Sequence, residues 1–206
     1  MPKEWYVSFH GGEEESTLNN IHVYSTDGKR LRKALNKKSL PSGIKLRELR
    51  GFVFGPDQNL YVVNAYFEYS QILKFNGTVN QNGQHDFAQV FVKRHAEINP
   101  GIDHPFNLAF DSEGEVYVSS QSTSLIARYH GPRSKKGKPR TPMPLPESLH
   151  LEKADFPPGT FVPSAKLPNS GAPQVVELFK ATYRPASKAL LVQNAGHHPR
   201  DCFRQN

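Results

Sequence analysis

Short apolar runs separated by turn residues recur along the chain, and they predict β-strands. β-branched and aromatic residues favour strands, and in the stretch 106–131 the apolar runs are Asn107–Phe110, Val116–Val118 and Ile126–Tyr129. Between the first two runs, Asp111–Gly114 has the composition of a turn, and Gly114 can adopt a positive φ without steric cost. The pattern predicts three strands joined as an antiparallel meander.

The stretch 51–77 repeats this pattern. Alignment of Phe54 with Phe110 also superimposes the second and third apolar runs, and each copy ends in a glycine, Gly77 or Gly131. The second and third runs of the earlier copy are Leu60–Val62 and Ile72–Phe75. Repetition at this period indicates one supersecondary unit per copy, with each unit stacked on its neighbours.

Two partial copies extend the series. At the start of the chain, Trp5–Val7 matches the middle strand and Ile21–Tyr24 matches the last strand of a copy without its first strand. A fainter fourth copy lies at 182–193, where Leu190–Val192 takes the middle-strand place. Further segments are expected at the outer edges: Leu31–Leu35 as a strand or a helical turn, and Phe87–Val92 and Asp155–Val162 as strands.

The unit resembles an NHL-type blade of a β-propeller, in the broad group that also contains the six-bladed SMP-30/gluconolactonase-like propellers. The residues that carry the resemblance are Phe54–Val62 and Phe110–Val118. It covers residues 5–130 and, less closely, 174–194. The resemblance implies an all-β fold, a partial β-propeller of about three to four antiparallel blades. It does not select one function, because such propellers include lactonases, lyases, receptors and RNA-binding domains.

Composition divides the chain into three parts. Residues 1–130 hold the blades, the first of them incomplete, and residues 174–206 hold the degenerate fourth blade and a polar tail. Residues 131–173 contain ten of the seventeen prolines and are rich in Gly and Lys, which predicts an insertion or linker. Because propellers usually close with about four to eight blades, three explanations stay open. The chain is part of a longer protein, a truncated product, or half of a ring completed by self-association.

Cellular context follows from simple counts. The single cysteine, Cys202, excludes an intrachain disulfide and a CxxC metal site. No apolar run approaches the length of a membrane span, and the first residues lack the apolar core of a signal peptide. These observations predict a cytoplasmic protein without a membrane partner.

Positive charge is concentrated after residue 28 and gives a net charge of +7. Solvated loops explain this pattern most simply. The alternative is an RNA-binding face, formed by Arg30, Arg32, Lys33, Arg47 and Arg50. It ranks third among the functions considered, because the aromatic residues that would stack on bases fall mostly in strands. Nucleic acid is therefore not the expected partner.

Blade geometry selects the candidate site residues. The start of the first strand and the end of the second lie at the same face, so residues that flank them should gather at the mouth of the central channel. Their polar composition suits a ligand-binding mouth or a solvated rim. The candidates for ligand binding are Arg50, Asn64, His104, Asn107, Ser120 and Asn194, with Phe106 beside them.

No catalytic motif accompanies these residues. The sequence contains no GxSxG, no HExxH and no dinucleotide-binding fingerprint. We therefore predict a non-catalytic scaffold that binds a protein or a small ligand at one face, with no metal and no cofactor. Self-association to complete the ring is a further expected interaction.

The resemblance also implies an enzymatic alternative, a metal-dependent hydrolase or lyase. SMP-30-like lactonases hold a divalent cation at the channel mouth through one Glu, two Asn and one Asp, a set of hard oxygen ligands that suits Ca²⁺. Here Asn64, Asn107 and Asn194 would have to converge on the ion. The sequence departs from that family at Pro105–Asn107, where Asn follows Phe instead of Pro, and no Asp ends a middle strand.

Overall fold

The computed structural model describes residues 4–9, 17–66, 69–94, 99, 102–122, 125–133, 160–161, 178–184 and 189–194. Its regular elements are almost all strands: β1 (Glu4–Ser8), β2 (Ile21–Ser25), β3 (Arg30–Lys33), β4 (Leu49–Phe54), β5 (Leu60–Asn64), β6 (Gln71–Val79), β7 (His85–Lys93), β8 (Pro105–Phe110), β9 (Val116–Ser120), β10 (Leu125–Tyr129), β11 (Thr160–Phe161), β12 (Leu178–Arg184) and β13 (Ala189–Asn194). One short 3-10 turn spans Lys37–Ser39. In this part of the chain, no helix is long and apolar enough to cross a membrane.

The strands form four open antiparallel sheets. Sheet 1 has the order β1-β2-β3, sheet 2 the order β4-β5-β6-β7, sheet 3 the order β8-β9-β10-β11, and sheet 4 is the hairpin β12-β13. Every strand therefore pairs with its neighbour in sequence, which confirms the predicted all-β class and the meander within each copy. The expected outer strands are present as β3, β7 and β11, and β11 pairs with β10 at the edge of sheet 3.

Strand pairing follows the sequence repeat. The middle strand of each aligned copy pairs with the next strand in the same register, through the pairs Trp5↔Tyr24, Leu60↔Phe75 and Val116↔Tyr129. Most of the predicted insertion and the polar tail lie outside the described residues.

Equivalent turns join the first two strands of sheets 2 and 3. In Gly55–Asn59 and in Asp111–Glu115, the first N–H donates to the fifth carbonyl and the fourth N–H donates to the first carbonyl. The fourth residue has a positive φ in both turns, 63° at Gln58 and 84° at Gly114. This is the pattern of a type I turn followed by a left-handed residue in a bulge.

A glycine closes each of these two copies for a steric reason. A β-carbon at Gly77 would overlap the carbonyl oxygen of Gln58, and one at Gly131 would overlap that of Gly114. The end of the third strand therefore approaches the turn too closely for any side chain. This contact explains why both copies end in glycine.

The first three sheets pack face to face. Strand β5 lies in the middle of the stack and is buried on both of its faces. Leu60 and Val62 join the apolar cluster shared with sheet 1, while Tyr61 and Val63 join the cluster shared with sheet 3. Burial of one Val or Leu side chain contributes about 1.5–3 kcal/mol, so these two clusters hold the sheets in their order.

The strands that open successive sheets are also neighbours. Strand β4 lies between β1 and β8, and β12 lies beside β8 and β9. The starts of β4 and β8 are thereby brought together, and the candidate site lies at this junction.

Candidate functional site

Three of the predicted site residues lie at the expected ends of second strands, whereas Arg50 and Asn107, expected just before a first strand, lie within β4 and β8. Asn64, Ser120 and Asn194 end the second strands of their sheets. They pair with the first residues of the preceding strands, Leu49, Pro105 and Leu178. The structure therefore places the ends of second strands opposite the starts of first strands in three successive sheets.

Asn64 and Ser120 use their side chains to hold backbone. The amide oxygen of Asn64 accepts from the N–H of Arg47 at 2.7 Å, and the hydroxyl of Ser120 accepts from the N–H of Asp103 at 3.0 Å. Asn64 also donates to the carbonyl of Lys45 at 2.8 Å. Both side chains are buried, and both fix the segment that leads into the first strand of their sheet.

The residues that directly follow Arg47 and Asp103 have an unusual backbone. Glu48 has a φ of 46° and His104 a φ of 54°. A left-handed conformation costs a non-glycine residue about 1–2 kcal/mol, and such strain tends to occur at functional sites. Within the described part of the chain, Gln58 is the one other non-glycine residue with a positive φ.

This backbone brings the side chains of the two sheets into contact. Alignment of the repeats places Glu48 over His104 and Arg50 over Phe106. The His104 Nε2 atom lies 3.0 Å from Glu48 Oε2 and 2.5 Å from Arg50 Nη2, while Arg50 Nη2 lies 3.4 Å from Glu48 Oε2. The Arg50 guanidinium also lies over the Phe106 ring, 4.8 Å from its centroid. We call Glu48, Arg50, His104 and Phe106 the seam cluster.

The proton on His104 decides how the seam cluster is bonded. A neutral imidazole nitrogen either donates or accepts a hydrogen bond. If Nε2 is unprotonated, it accepts from Arg50, and if it is protonated, it donates to Glu48. The same nitrogen cannot serve both partners, so a change of tautomer or charge at His104 redistributes the bonds between the two sheets.

His104 is firmly held by its backbone. Its N–H donates to Ser70 Oγ at 3.0 Å, and its carbonyl accepts from the N–H of Gln121 at 3.0 Å. Its side chain is 23% exposed, against 10% for Glu48 and 11% for Arg50. The His104 imidazole is therefore the most exposed of these three side chains, and its backbone is held on both sides of the residue.

The metal-dependent alternative requires three asparagines, and the structure describes the side-chain contacts of two of them. Both polar atoms of the Asn64 amide are bonded to backbone, and the Asn107 side chain lies against Gly51, where a β-carbon would overlap it. The side chain of Asn194 lies outside the described residues. In the described ranges, no three His, Cys, Asp or Glu side chains are grouped so that they could hold a metal ion.

Most of the basic side chains of the RNA-binding alternative contact other residues of the same chain. Arg32 pairs with both carboxylate oxygens of Glu4 at 2.8 and 2.6 Å. The guanidinium of Arg47 lies 3.6 Å from the centroid of the Tyr66 ring, and Arg50 belongs to the seam cluster. Three of the five cations therefore do not present their charge to a phosphate backbone in this conformation.

Arg50 and His104 were among the site residues predicted from the sequence, whereas Glu48 was not. Glu48 stands among basic residues, where it reads as a lone surface charge. The repeat alignment carries the missing signal, because it places Glu48 at the position of His104.

Comparisons with known proteins add one structural likeness. No protein-family model matches the sequence, and no curated protein matches it. Among solved structures, the chain is similar to a protein from Bacteroides uniformis ATCC 8492 that is provisionally assigned as a 6-phosphogluconolactonase. The identity is 13% and the TM-score 0.49, over 86% of this chain and 45% of that one. The chain thus spans less than half the length of that protein.

Proposed function

We propose that the protein is a non-catalytic β-propeller scaffold that binds a small organic anion at the seam cluster. The sheets are blades in this proposal. Two features support it: the opening strands β4, β8 and β12 are neighbours in order, and the strand register repeats with the sequence. The mouth of the channel is then the edge where β4 and β8 begin.

The observation that carries the ligand proposal is the pair of left-handed residues, Glu48 and His104. Their left-handed backbone directs a carboxylate and an imidazole to one point from two sheets. The contact between Arg50 and Glu48 is long at 3.4 Å, whereas charge-assisted hydrogen bonds are usually about 2.7–2.9 Å. A carboxylate that displaced Glu48 could accept hydrogen bonds from the Arg50 guanidinium and from a protonated His104.

Phe106 favours a ligand that carries an apolar group beside its charge. Its ring already packs under the Arg50 guanidinium, so an anion with a flat apolar body fits both groups. Benzoate has this chemistry, and benzamide has the same shape without the charge. The pair tests the charge alone.

The test is calorimetric titration of the full chain with benzoate and with benzamide. Arg50→Gln should weaken benzoate binding about tenfold or more, since a hydrogen bond to a charged group contributes about 1.5–3 kcal/mol. Glu48→Gln should strengthen it, because the competing carboxylate is removed. Arg47→Gln is the matched control, because Arg47 lies in the same segment but contacts Tyr66. Absence of benzoate binding, or equal binding of benzamide, would overturn the proposed ligand class.

A further inference from the structure

The middle strands of the sheets follow one rule of orientation. In sheet 2, Leu60 and Val62 pack toward the preceding sheet, together with Ile21 and Val23. In sheet 3, Val116 and Val118 likewise join the cluster shared with the preceding sheet. The first and third positions of the repeated triplet thus face backward along the stack.

In sheet 1 the same two positions are solvent-exposed. By register, Trp5 and Val7 correspond to Leu60 and Val62. Trp5 is 63% exposed and Val7 is 38% exposed, whereas Leu60 is fully buried. The intermediate residue, Tyr6, packs forward on sheet 2, with its ring 6.5 Å from that of Phe52. On the backward face of sheet 1, His22 is buried beside Phe9, while Trp5 and Val7 expose apolar surface. Exposed apolar surface of this kind commonly marks an interaction surface.

We propose that this backward face packs against sheet 4 of a second copy of the chain. The backward faces of sheets 2 and 3 each meet the forward side of the preceding sheet, so the fitting occupant is the last sheet of a series. Sheet 4 is that sheet, because β12 follows β8 and β9 at the far end of the stack. Two copies related by a twofold axis would form two equal interfaces and close a ring. The inference rests on the blade architecture proposed above.

The only tryptophan in the chain lies on this surface. Its emission therefore reports directly on the interface, since burial shifts tryptophan emission to shorter wavelength. Light scattering on the full chain over a concentration series should give twice the monomer mass of 23.2 kDa. The Trp5 emission should shift to the blue over the same concentration range as the mass.

Val7→Lys tests the surface and leaves the reporter in place. It should raise the dissociation constant of the dimer at least tenfold and keep the Trp5 emission red-shifted. Val79→Lys is the matched control, because Val79 is 47% exposed on β6, away from this face, and this variant should associate as the wild type does. The circular dichroism melt of each variant shows that it is folded.

Three results would overturn the inference: a monomer at every concentration, a dimer with unchanged Trp5 emission, or a dimer insensitive to Val7→Lys. The ligand proposal fails separately. A monomer that binds benzoate contradicts only the dimer, and a dimer that does not bind benzoate contradicts only the ligand class.

Discussion

Sheets 2 and 3 have nearly the same backbone and different chemistry. Their turns, registers and closing glycines are equivalent. In each sheet the N–H of the closing glycine even donates to the same position of the turn, Asn59 in one and Glu115 in the other. The repeated features are those that shape the turns. The residue that accepts from the closing glycine can be Asn or Glu, because both side chains provide an acceptor oxygen.

The differences are concentrated where the two sheets meet and in their outer turns. At the junction, Glu48 and Arg50 of one copy face His104 and Phe106 of the other. Identical copies would place like charges together, with the repulsion that this entails. The seam cluster therefore forms because the two copies carry different side chains on an equivalent backbone.

The largest effect is expected at the closing glycines. Gly131→Ala should destabilise the protein by about 3 kcal/mol or more, because the β-carbon would overlap backbone rather than a movable side chain. Urea unfolding measures this loss. Gly43→Ala is the control, because Gly43 has a positive φ of 86° but no atom within 4 Å of the added carbon, and its cost should be about 1 kcal/mol. Equal costs at the two sites would contradict the proposed close approach.

A second, smaller effect is expected at Asp57, which is partly buried, whereas its equivalent in sheet 3, Glu113, is exposed. Burial alone would raise its pKa, but hydrogen bonds from Lys74, Asn59 and Tyr61 outweigh burial and lower the pKa to about 2. A lowered carboxyl pKa stabilises the folded state above the unfolded pKa, and that stability is lost as the pH falls from about 4 to about 2. Asp57→Asn should cost about 2 kcal/mol at neutral pH, and progressively less as the pH falls toward 2.

The measurement is urea unfolding from pH 7 to pH 2. Glu113→Gln serves as the control, because Glu113 holds the repeat-equivalent position but is exposed. Its unfolding curve should follow that of the wild type. Parallel pH profiles for Asp57→Asn and the wild type would show that Asp57 is not the source of the acid sensitivity.

The strand-end anchors give a third, smaller effect. Asn64→Ala removes two hydrogen bonds to buried backbone, while Ser120→Ala removes one. Since an unmade buried bond costs about 1–3 kcal/mol, Asn64→Ala should lose about twice as much stability in urea as Ser120→Ala. Asn64→Asp is the test of mechanism, because it keeps the acceptor for Arg47 and loses the donor to Lys45. An equal loss in both alanine variants would contradict the expectation that the second Asn64 bond, to the carbonyl of Lys45, adds to stability.

Much of the fold was accessible from the sequence because it depends on local chemistry. Short apolar runs and turn residues predicted the strands, and alignment of Phe54 with Phe110 predicted the repeated unit. The edge strand at Thr160–Phe161 also fell inside the predicted segment. The strand pairing repeats together with the sequence, and this repeat is visible in a single chain.

The candidate site was only partly accessible, for a different reason. Position along a strand can be predicted, but the partner of a polar side chain cannot. Asn64 and Ser120 lie where they were expected, yet each hydrogen-bonds to nearby backbone. Glu48 was missed because the left-handed conformation that turns it toward His104 has no sequence signature outside glycine and asparagine.

The smallest effect separates the two turns themselves. Gln58 and Gly114 share a left-handed conformation, but only the glycine adopts it without cost. Gln58→Gly should therefore raise the free energy of unfolding by up to about 1 kcal/mol, and Gly114→Gln should lower it by a similar amount. A β-carbon at Gly114 would meet Pro56 at an ordinary 3.4 Å, so the cost there is conformational and not steric. If Gln58→Gly is instead destabilising, the Gln58 side chain makes a contribution in sheet 2 that outweighs its strained backbone, and the two turns are equivalent only in shape.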